Sequence, residues 1–236
     1  MKIFFIGIGG ISMSGLAMIC KNLGWEVIGS DREDSSVIHQ LEKKRIKVYI
    51  GHNKDHITSD IDKVVFTAAV KQDNEEIIKT KELGIDLLER SVFLGSIMKE
   101  YENSIAVAGT HGKTTTTLLI SELLESVGCN YFVGDGSGYA DKDNSLFVIE
   151  SDEYNKHLLA YHPYLAVLTS IELDHTECYE GGIEEIKETF KKFCNKAKRV
   201  LACGDYEAIR DLKLDCVYYG INENNFVRAE KIKYKE

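Results

Sequence analysis

The sequence predicts an α/β protein in which two parallel sheets, each covered by helices, follow one another along the chain. Two observations support this prediction. Short apolar runs alternate with segments of helical periodicity through all 236 residues, which is the βαβ rhythm of parallel sheets. A glycine-rich loop also follows the first apolar run of each half, at residues 7–15 and again at residues 109–114. We therefore expect two domains, residues 1–100 and residues 101–236, separated within a polar stretch at residues 99–103.

The individual elements follow from the same pattern. In the first half, apolar runs predict strands at residues 3–6, 25–29, 48–50, 64–66 and 85–88. Apolar residues at helical spacing predict helices at residues 12–23, 37–44, 74–83 and 92–98. In the second half, strands are expected at residues 105–108, 146–149, 165–171 and 200–203, with helices after the glycine loop and at residues 183–193. The helix after the loop is supported by apolar residues at helical spacing, which are Leu119, Ile120, Leu123, Leu124 and Val127.

The composition is that of an ordinary soluble globular protein, with 44% hydrophobic and 28% charged residues. The formal net charge is −9 and no basic run occurs, which argues against a broad nucleic-acid surface. The six cysteines form no C-x-x-C pair, so we expect reduced thiols rather than disulfides or a zinc site. No segment approaches the roughly 20 apolar residues that span a bilayer, and no signal cleavage site follows the apolar residues 3–6. We therefore expect a cytoplasmic protein without a membrane partner.

The second glycine loop, residues 109–114, reads Gly-Thr-His-Gly-Lys-Thr between a strand and a helix. Glycines let backbone N–H groups point at phosphate oxygens, and the following helix presents its positive end to them. Lys113 adds a positive charge, and Thr114 offers a hydroxyl to Mg²⁺. In the longer pattern G-x-x-x-x-G-K-[ST] the first glycine would stand at Val107, so only the shorter form is present, and a plain glycine turn is the alternative. The loop predicts a P-loop ATP-binding α/β domain.

The first glycine loop, residues 7–15, follows the first strand as a dinucleotide fingerprint would, and Asp31 stands near the ribose-binding position of such folds. The spacing differs, because the third glycine of G-x-G-x-x-G would fall on Ser12. The hydroxyls of Ser12 and Ser14 beside glycine backbone suit a diphosphate, so we predict a Rossmann-like domain with a nucleotide-diphosphate pocket. A tight βα turn without a ligand and an NAD site are the alternatives.

Acidic and histidine side chains follow two strands of the second half. Because ligands of parallel sheets collect at the carboxyl ends of the strands, we expect Glu150 and His175 beside the P-loop. A carboxylate is a natural ligand of Mg²⁺, whereas histidine is a less usual one. Four further carboxylates are explained at least as well as solvated loop residues or helix caps, and these are Asp152, Glu153, Glu172 and Asp174.

As a set, these segments resemble the Mur ligase family. The matching segments, in the order of the family, are GIGGISMSGLA (residues 7–17), GSD (29–31), GH (51–52), AVAGTHGKTT (106–115), GDGSG (134–138), ESDEY (150–154), HLLAY (157–161) and DH (174–175). They extend over nearly the whole chain, and together they are far more specific than either glycine loop alone.

The resemblance implies a ligand for each domain. It implies that the first domain binds UDP-N-acetylmuramic acid through Gly7, Gly9, Gly10, Ser12, Met13, Ser14, Gly15, Asp31 and His52. It implies that the second domain binds ATP through Gly109, Thr110, His111, Gly112, Lys113, Thr114 and Thr115. The implied ligands of Mg²⁺ are Thr114, Glu150 and His175, and the implied catalytic residues are Lys113, Glu150 and His175.

The activity implied by the resemblance is an ATP-dependent ligation in peptidoglycan precursor synthesis. The lactyl carboxylate of the UDP-sugar is activated as an acyl phosphate and then joined to an amino acid. Sister ligases that extend the peptide later carry a carbamylated lysine where this chain has Phe190, which favours L-alanine as the amino acid. Four positions depart from the usual family pattern, and these are Glu75, Ser170, Thr176 and Glu177.

Members of the family continue into a third domain that closes over ATP. This chain resembles the first two domains, so we expect it to bind substrates without completing the ligation. Three other functions stay open from the sequence. They are a nucleotide- or UDP-sugar-binding module without ligase activity, an NAD-dependent oxidoreductase, and a P-loop ATPase or kinase.

Overall fold

The computed structural model describes residues 1–174 and 177–233 and confirms the α/β class with two sheets. The strands of the first sheet are β1 (Lys2–Ile6), β2 (Glu26–Asp31), β3 (Lys47–Ile50), β4 (Lys63–Phe66) and β5 (Asp86–Glu89). They are all parallel and lie in the order β3-β2-β1-β4-β5. The chain therefore reverses its direction of growth at β1, which is where open parallel sheets form a binding crevice.

Four helices belong to the first sheet: α1 (Ile11–Asn22), α2 (Ser36–Lys43), α3 (Glu75–Glu82) and α4 (Arg90–Met98). Polar side chains begin most of them, since Ser35 accepts a hydrogen bond from an N–H of α2 and Asn74 accepts two from α3. Helix α1 differs, because its cap is Gly10 and no side chain caps it. The first N–H groups of α1 are thus left for other partners.

The second sheet has eight strands in the order β13-β12-β11-β10-β6-β9-β7-β8. Their bounds are β6 (Asn103–Ala108), β7 (Cys129–Phe132), β8 (Gly138–Tyr139), β9 (Leu146–Glu150), β10 (Leu165–Leu168), β11 (Arg199–Cys203), β12 (Val217–Gly220) and β13 (Val227–Arg228). All neighbours are parallel except β7 and β8. The helices of this half are α5 (Lys113–Leu123), α6 (Gly182–Cys194) and α7 (Glu207–Arg210).

Two features of the second sheet differ from the sequence prediction. Strands β7, β8, β12 and β13 were not predicted, and each of them is only two to four residues long. Helix α5 is present, but the face that it buries differs from the predicted apolar face. Leu119 and Leu123 are 54% and 79% exposed, whereas Thr117 is fully buried. The apolar periodicity therefore identified the helix correctly and its buried face only in part.

Glycines allow the two sheets to approach closely. A Cβ atom on Gly15 of α1 would stand 2.1 Å from the carbonyl oxygen of Gly136, and one on Gly95 of α4 would stand 2.6 Å from that of Ala160. Side chains of both sheets also share one buried apolar cluster. Because larger residues at these contacts would force the sheets apart, the contacts fix how the two glycine loops face each other.

Across the described ranges, none of the helices has both the length and the apolar character needed to cross a bilayer.

Candidate functional site

The second glycine loop connects β6 to α5 and is held by the end of β10. Gly109 has a φ of +141°, and a Cβ atom there would lie 2.1 Å from the Thr169 hydroxyl oxygen, so only glycine fits. The His111 N–H donates to the Ser170 hydroxyl at 2.8 Å. Gly112, in a left-handed conformation, caps α5 without a side-chain hydrogen bond. The loop thus directs the positive end of α5 outward, as a phosphate site requires.

Lys113, the first residue of α5, bends back over the loop. Its Nζ donates to the carbonyl oxygens of Gly109 and Thr110 at 2.7 and 3.2 Å, and it lies 2.9 Å from the carboxylate of Glu153. Glu153 is 3% exposed, so it is not a solvated loop carboxylate, which was one of the explanations that the sequence left open. Burial raises the pKa of Glu153 although the ammonium of Lys113 acts against it. The structure therefore pairs the loop lysine with a buried carboxylate.

Thr114 and Glu150 meet beside the loop. The Thr114 hydroxyl donates to Glu150 Oε2 at 2.9 Å, and the Gly134 N–H donates to the same oxygen at 2.9 Å. Two protein oxygens together with phosphate oxygens and waters are a typical set for Mg²⁺, so these residues fit the ion. In the part of the chain that is described, no cluster of three histidine, cysteine or acidic residues forms a metal site. His175 lies outside the described residues.

The remaining residues predicted for ATP lie around this loop. Thr110 is buried, and its hydroxyl accepts a hydrogen bond from the Glu172 N–H at 3.0 Å. The side chain of His111 is 64% exposed and stands 3.6 Å from the Glu172 carboxylate. Thr115 is exposed on the first turn of α5. The loop is thus anchored by Thr110 and open to solvent at His111.

A cleft between the two sheets brings residues of both glycine loops together. It is lined by Ser12, Arg90, Lys113, Phe132, Gly134, Glu150, Asp152 and Glu153. Arg90 donates to the Ser12 hydroxyl at 3.0 Å, and its other terminal nitrogen lies 3.3 Å from His157 Nδ1. Sequence reasoning missed Arg90, although its position directly after β5, at the carboxyl edge of the sheet, is a usable signal. The arginine adds a positive charge between the two domains.

The first glycine loop lines a separate pocket of about 690 Å³, which is large enough for a nucleotide. Of the nine residues predicted for the UDP-sugar, five line this pocket: Gly7, Gly9, Gly10, Asp31 and His52. Gly9 is tied to the strand edge, since its N–H donates to Asp31 Oδ2 at 2.8 Å. The pocket lies at the carboxyl ends of β1, β2 and β4, the place where ligands of such sheets bind.

The other four predicted residues lie elsewhere. Ser12 lines the cleft between the sheets, and Met13 is buried in the core at 2% exposure. Ser14 and Gly15 line a small cavity against Gly136 of the second half. The structure therefore divides the first loop between a nucleotide-sized pocket, the interdomain cleft and the contact between the sheets.

Fold and site together define an α/β protein with two largely parallel sheets, a glycine loop at the carboxyl edge of each sheet and a cleft between them. The profile described as "Mur ligase family, catalytic domain" matches residues 2–102. The UDP-N-acetylmuramate–L-alanine ligase of Acetivibrio thermocellus is 44% identical over 99% of this chain and 53% of its own length. That of Clostridium perfringens is 39% identical over 100% of this chain and 54% of its own length.

A solved structure of a ligase with a similar name also resembles the chain. The UDP-N-acetylmuramate–alanine ligase of Thermotoga maritima superposes with a TM-score of 0.76 at 26% identity, covering 94% of this chain and 53% of that one. The chain belongs to the Mur ligase family. It spans about half the length of the relatives it matches.

Proposed function

We propose that the chain forms the substrate-binding part of an ATP-dependent ligase that joins L-alanine to the lactyl carboxylate of UDP-N-acetylmuramic acid. Residues 1–100 would bind the UDP-sugar, and residues 101–236 would bind ATP. The observation that carries the proposal is the cleft, where Ser12 and Arg90 of the first domain face Lys113 and Glu150 of the second. Two relatives that carry this activity in their names match the whole chain.

In the proposed reaction, an oxygen of the lactyl carboxylate attacks the γ-phosphorus of ATP, and ADP leaves with the bond electrons. The acyl phosphate is then attacked by the amine of L-alanine, which releases inorganic phosphate and a proton. Phosphoryl transfer depends mainly on positioning and on stabilisation of charge. The chain offers the glycine loop, the positive end of α5 and the side chains of Lys113 and Arg90 for this purpose.

Binding of phosphate requires Lys113 to exchange partners. In the structure its ammonium is held by Glu153 and by two loop carbonyls. A phosphate oxygen is a stronger partner for it than a carbonyl, so we expect the side chain to turn toward the nucleotide. Mg²⁺, which Thr114, Glu150 and His175 would hold, neutralises charge on the phosphates when it is bound. We also propose a cytoplasmic location, because ATP is a cytoplasmic substrate.

Calorimetry on the purified chain tests the proposal directly. UDP-N-acetylmuramic acid and MgATP should each bind with a stoichiometry of one, whereas NADH should not bind in the first pocket. Changing Lys113 to Ala should weaken binding of MgATP by about 10- to 100-fold, since a charge-assisted contact to phosphate contributes about 1.5–3 kcal/mol. Binding of the UDP-sugar should stay nearly unchanged in that variant.

Catalysis is tested in a ligase of the relatives' full length, because the chain spans about half of that length. The corresponding Lys113→Ala change in a ligase of the length of the relatives should abolish phosphoryl transfer. Normal turnover in that variant would contradict the role of Lys113. Displacement of the UDP-sugar by NADH would instead support the oxidoreductase alternative, and ATP hydrolysis without sugar or alanine would support an ATPase.

A further inference from the structure

A buried carboxylate stands behind the first-domain pocket and is not among the residues predicted from the sequence. Glu76, the second residue of α3, is fully buried. Its Oε2 accepts a hydrogen bond from the Ser30 hydroxyl at 2.6 Å and lies 2.7 Å from Nδ1 of His52. Its Oε1 lies 2.8 Å from Nδ1 of His56 and accepts one from the Asn53 N–H at 3.3 Å. Four groups from two segments thus surround one carboxylate.

The count of donors fixes the hydrogen positions on the two imidazoles. An ionised carboxylate only accepts hydrogen bonds, so both Nδ1 atoms must carry a hydrogen if Glu76 is ionised. A buried carboxylate without such donors would be costly, and the four contacts satisfy it. In a neutral imidazole with hydrogen on Nδ1, the other ring nitrogen, Nε2, is an acceptor. With Glu76 ionised and both rings neutral, His52 and His56 are thus each in the Nδ1–H tautomer.

The two histidines have different surroundings. The ring of His56 stacks on Tyr49, with centroids 4.0 Å apart and planes 10° apart. His52, whose side chain is 22% exposed, lines the nucleotide-sized pocket. Because its Nδ1 faces Glu76 inside the protein, the acceptor nitrogen is on the part of the ring left for the pocket. His56 thus serves the scaffold, and His52 serves the ligand.

We propose that Glu76 is a positioning residue that fixes His52 as a hydrogen-bond acceptor for an N–H or O–H group of the uridine in the ligand. The identity of the ligand rests on the proposed function above. A carboxylate behind a histidine is a general device for fixing the tautomer and orientation of the ring. The donor on the uridine is either the imide N–H of the base or a ribose hydroxyl.

The tautomers are measured without any ligand, by nitrogen-15 NMR of the histidine rings in the unmodified chain at pH 8. His52 and His56 should both show the Nδ1–H pattern. His39 is the internal control, because it is exposed and lies 3.2 Å from Asp34 through Nε2, so it should show the opposite, Nε2–H pattern. An Nε2–H pattern at His52 in the unmodified chain would overturn the proposal. The variant Glu76→Gln should move at least one of the two rings to the Nε2–H pattern, because an amide oxygen replaces two acceptors by one.

A matched pair of variants separates the two sides of the ring. His52→Asn keeps a donor at the place of Nδ1 but has no atom at Nε2, whereas His52→Gln places its amide near Nε2 and loses the contact with Glu76. The probe is UDP, with 3-methyl-UDP, 2′-deoxy-UDP and 3′-deoxy-UDP as analogues that each lack one donor. In the unmodified chain one analogue should bind about 2- to 10-fold more weakly than UDP, as loss of one hydrogen bond predicts.

In His52→Asn that analogue and UDP should bind alike, because the acceptor is gone. Should every analogue lose the same factor in the unmodified chain and in His52→Asn, the contact with Nε2 is refuted. Should UDP fail to bind the unmodified chain at all, the proposed function fails with it, while the NMR pattern still decides whether Glu76 sets the tautomer. If His52→Gln again binds the analogue more weakly than UDP, a polar group at the place of Nε2 is sufficient without the contact to Glu76. That result would contradict the positioning role of Glu76.

Discussion

The two glycine loops share a strand–loop–helix arrangement, yet carboxylates play opposite parts beside them. In the first domain the Asp31 carboxylate accepts a hydrogen bond from the Gly9 N–H, and the Glu76 carboxylate contacts Nδ1 of His52. Acidic groups thus hold the wall of an open pocket. In the second domain Glu153 and Glu150 hold Lys113 and Thr114, the groups expected to bind phosphate and metal. Under the proposed function, the first site is therefore organised before binding, whereas Lys113 and Thr114 in the second exchange their carboxylate contacts for ligand.

The largest expected effect comes from the glycine that anchors the second loop. In Gly109→Ala, the added Cβ would overlap the Thr169 hydroxyl at 2.1 Å in a conformation that side chains rarely adopt. Overpacking and backbone strain should together lower the free energy of unfolding by about 3 kcal/mol. Urea denaturation measures this loss.

Two matched glycine changes show whether the effect is specific. Gly112→Ala also places a side chain at a positive φ, +79° instead of +141°, but nothing lies within 4 Å of the added Cβ, so it should cost about 1 kcal/mol. Gly7→Ala in the first loop meets the methyl group of Thr67 at 3.0 Å, which a small shift relieves. Equal losses in all three variants would show that the two loops are equally tolerant.

A smaller effect is expected from the carboxylate that holds the loop lysine. In Glu153→Gln the ion pair with Lys113 is lost and a negative charge leaves the phosphate site. MgATP should bind several-fold more tightly, because less is given up when Lys113 turns to the phosphates. Calorimetry on the variant and the unmodified chain measures the change.

The control for that variant is Glu172→Gln, which removes an equal charge near His111 but not from Lys113. It should change the affinity much less than Glu153→Gln. An unchanged or weaker affinity in Glu153→Gln would mean that Glu153 supports the binding conformation of Lys113 instead of competing for it.

The sequence predicted those parts of the sites that depend on local order along the chain. Apolar runs ending in glycine loops located Lys113 and Thr114, and the end of a strand located Glu150. These features follow from backbone chemistry within a few residues. The parallel-sheet class followed from the same alternation, because strands and helices of this kind pack in few ways.

The missed residues depend on contacts far apart in the sequence. Glu76 lies in a charged helical segment and reads as solvent-facing, yet Ser30 and the short helix at Lys54–His56 surround it. Arg90 gains its place from Ser12, 78 positions earlier. Such positions follow from the register of the strands and the packing of the sheets, which residue spacing does not encode.

The smallest expected effect is a difference in pH dependence between two neighbouring carboxyl groups. Burial raises the pKa of Glu153, so the folded chain binds a proton there more strongly than the unfolded chain. The resulting stability is fully present below the unfolded value of 4.5 and is lost as the pH rises through the folded pKa. Burial acts the same way on Asp152, but hydrogen bonds from His157 and the Tyr154 N–H outweigh it and lower its pKa.

Asp152 therefore contributes stability above its unfolded value of 3.8 that is lost as the pH falls through the folded pKa. Relative to the unmodified chain, Glu153→Gln should gain stability as the pH rises from 4 to 7, and Asp152→Asn should lose it as the pH rises from 2.5 to 5. Each change should stay below about 1 kcal/mol, since solvent partly screens Asp152 and the ammonium of Lys113 offsets part of the effect of burial on Glu153. Urea denaturation across this pH range measures both. Parallel profiles for the two variants would show that the ammonium of Lys113 outweighs burial and lowers the pKa of Glu153, which contradicts the expectation.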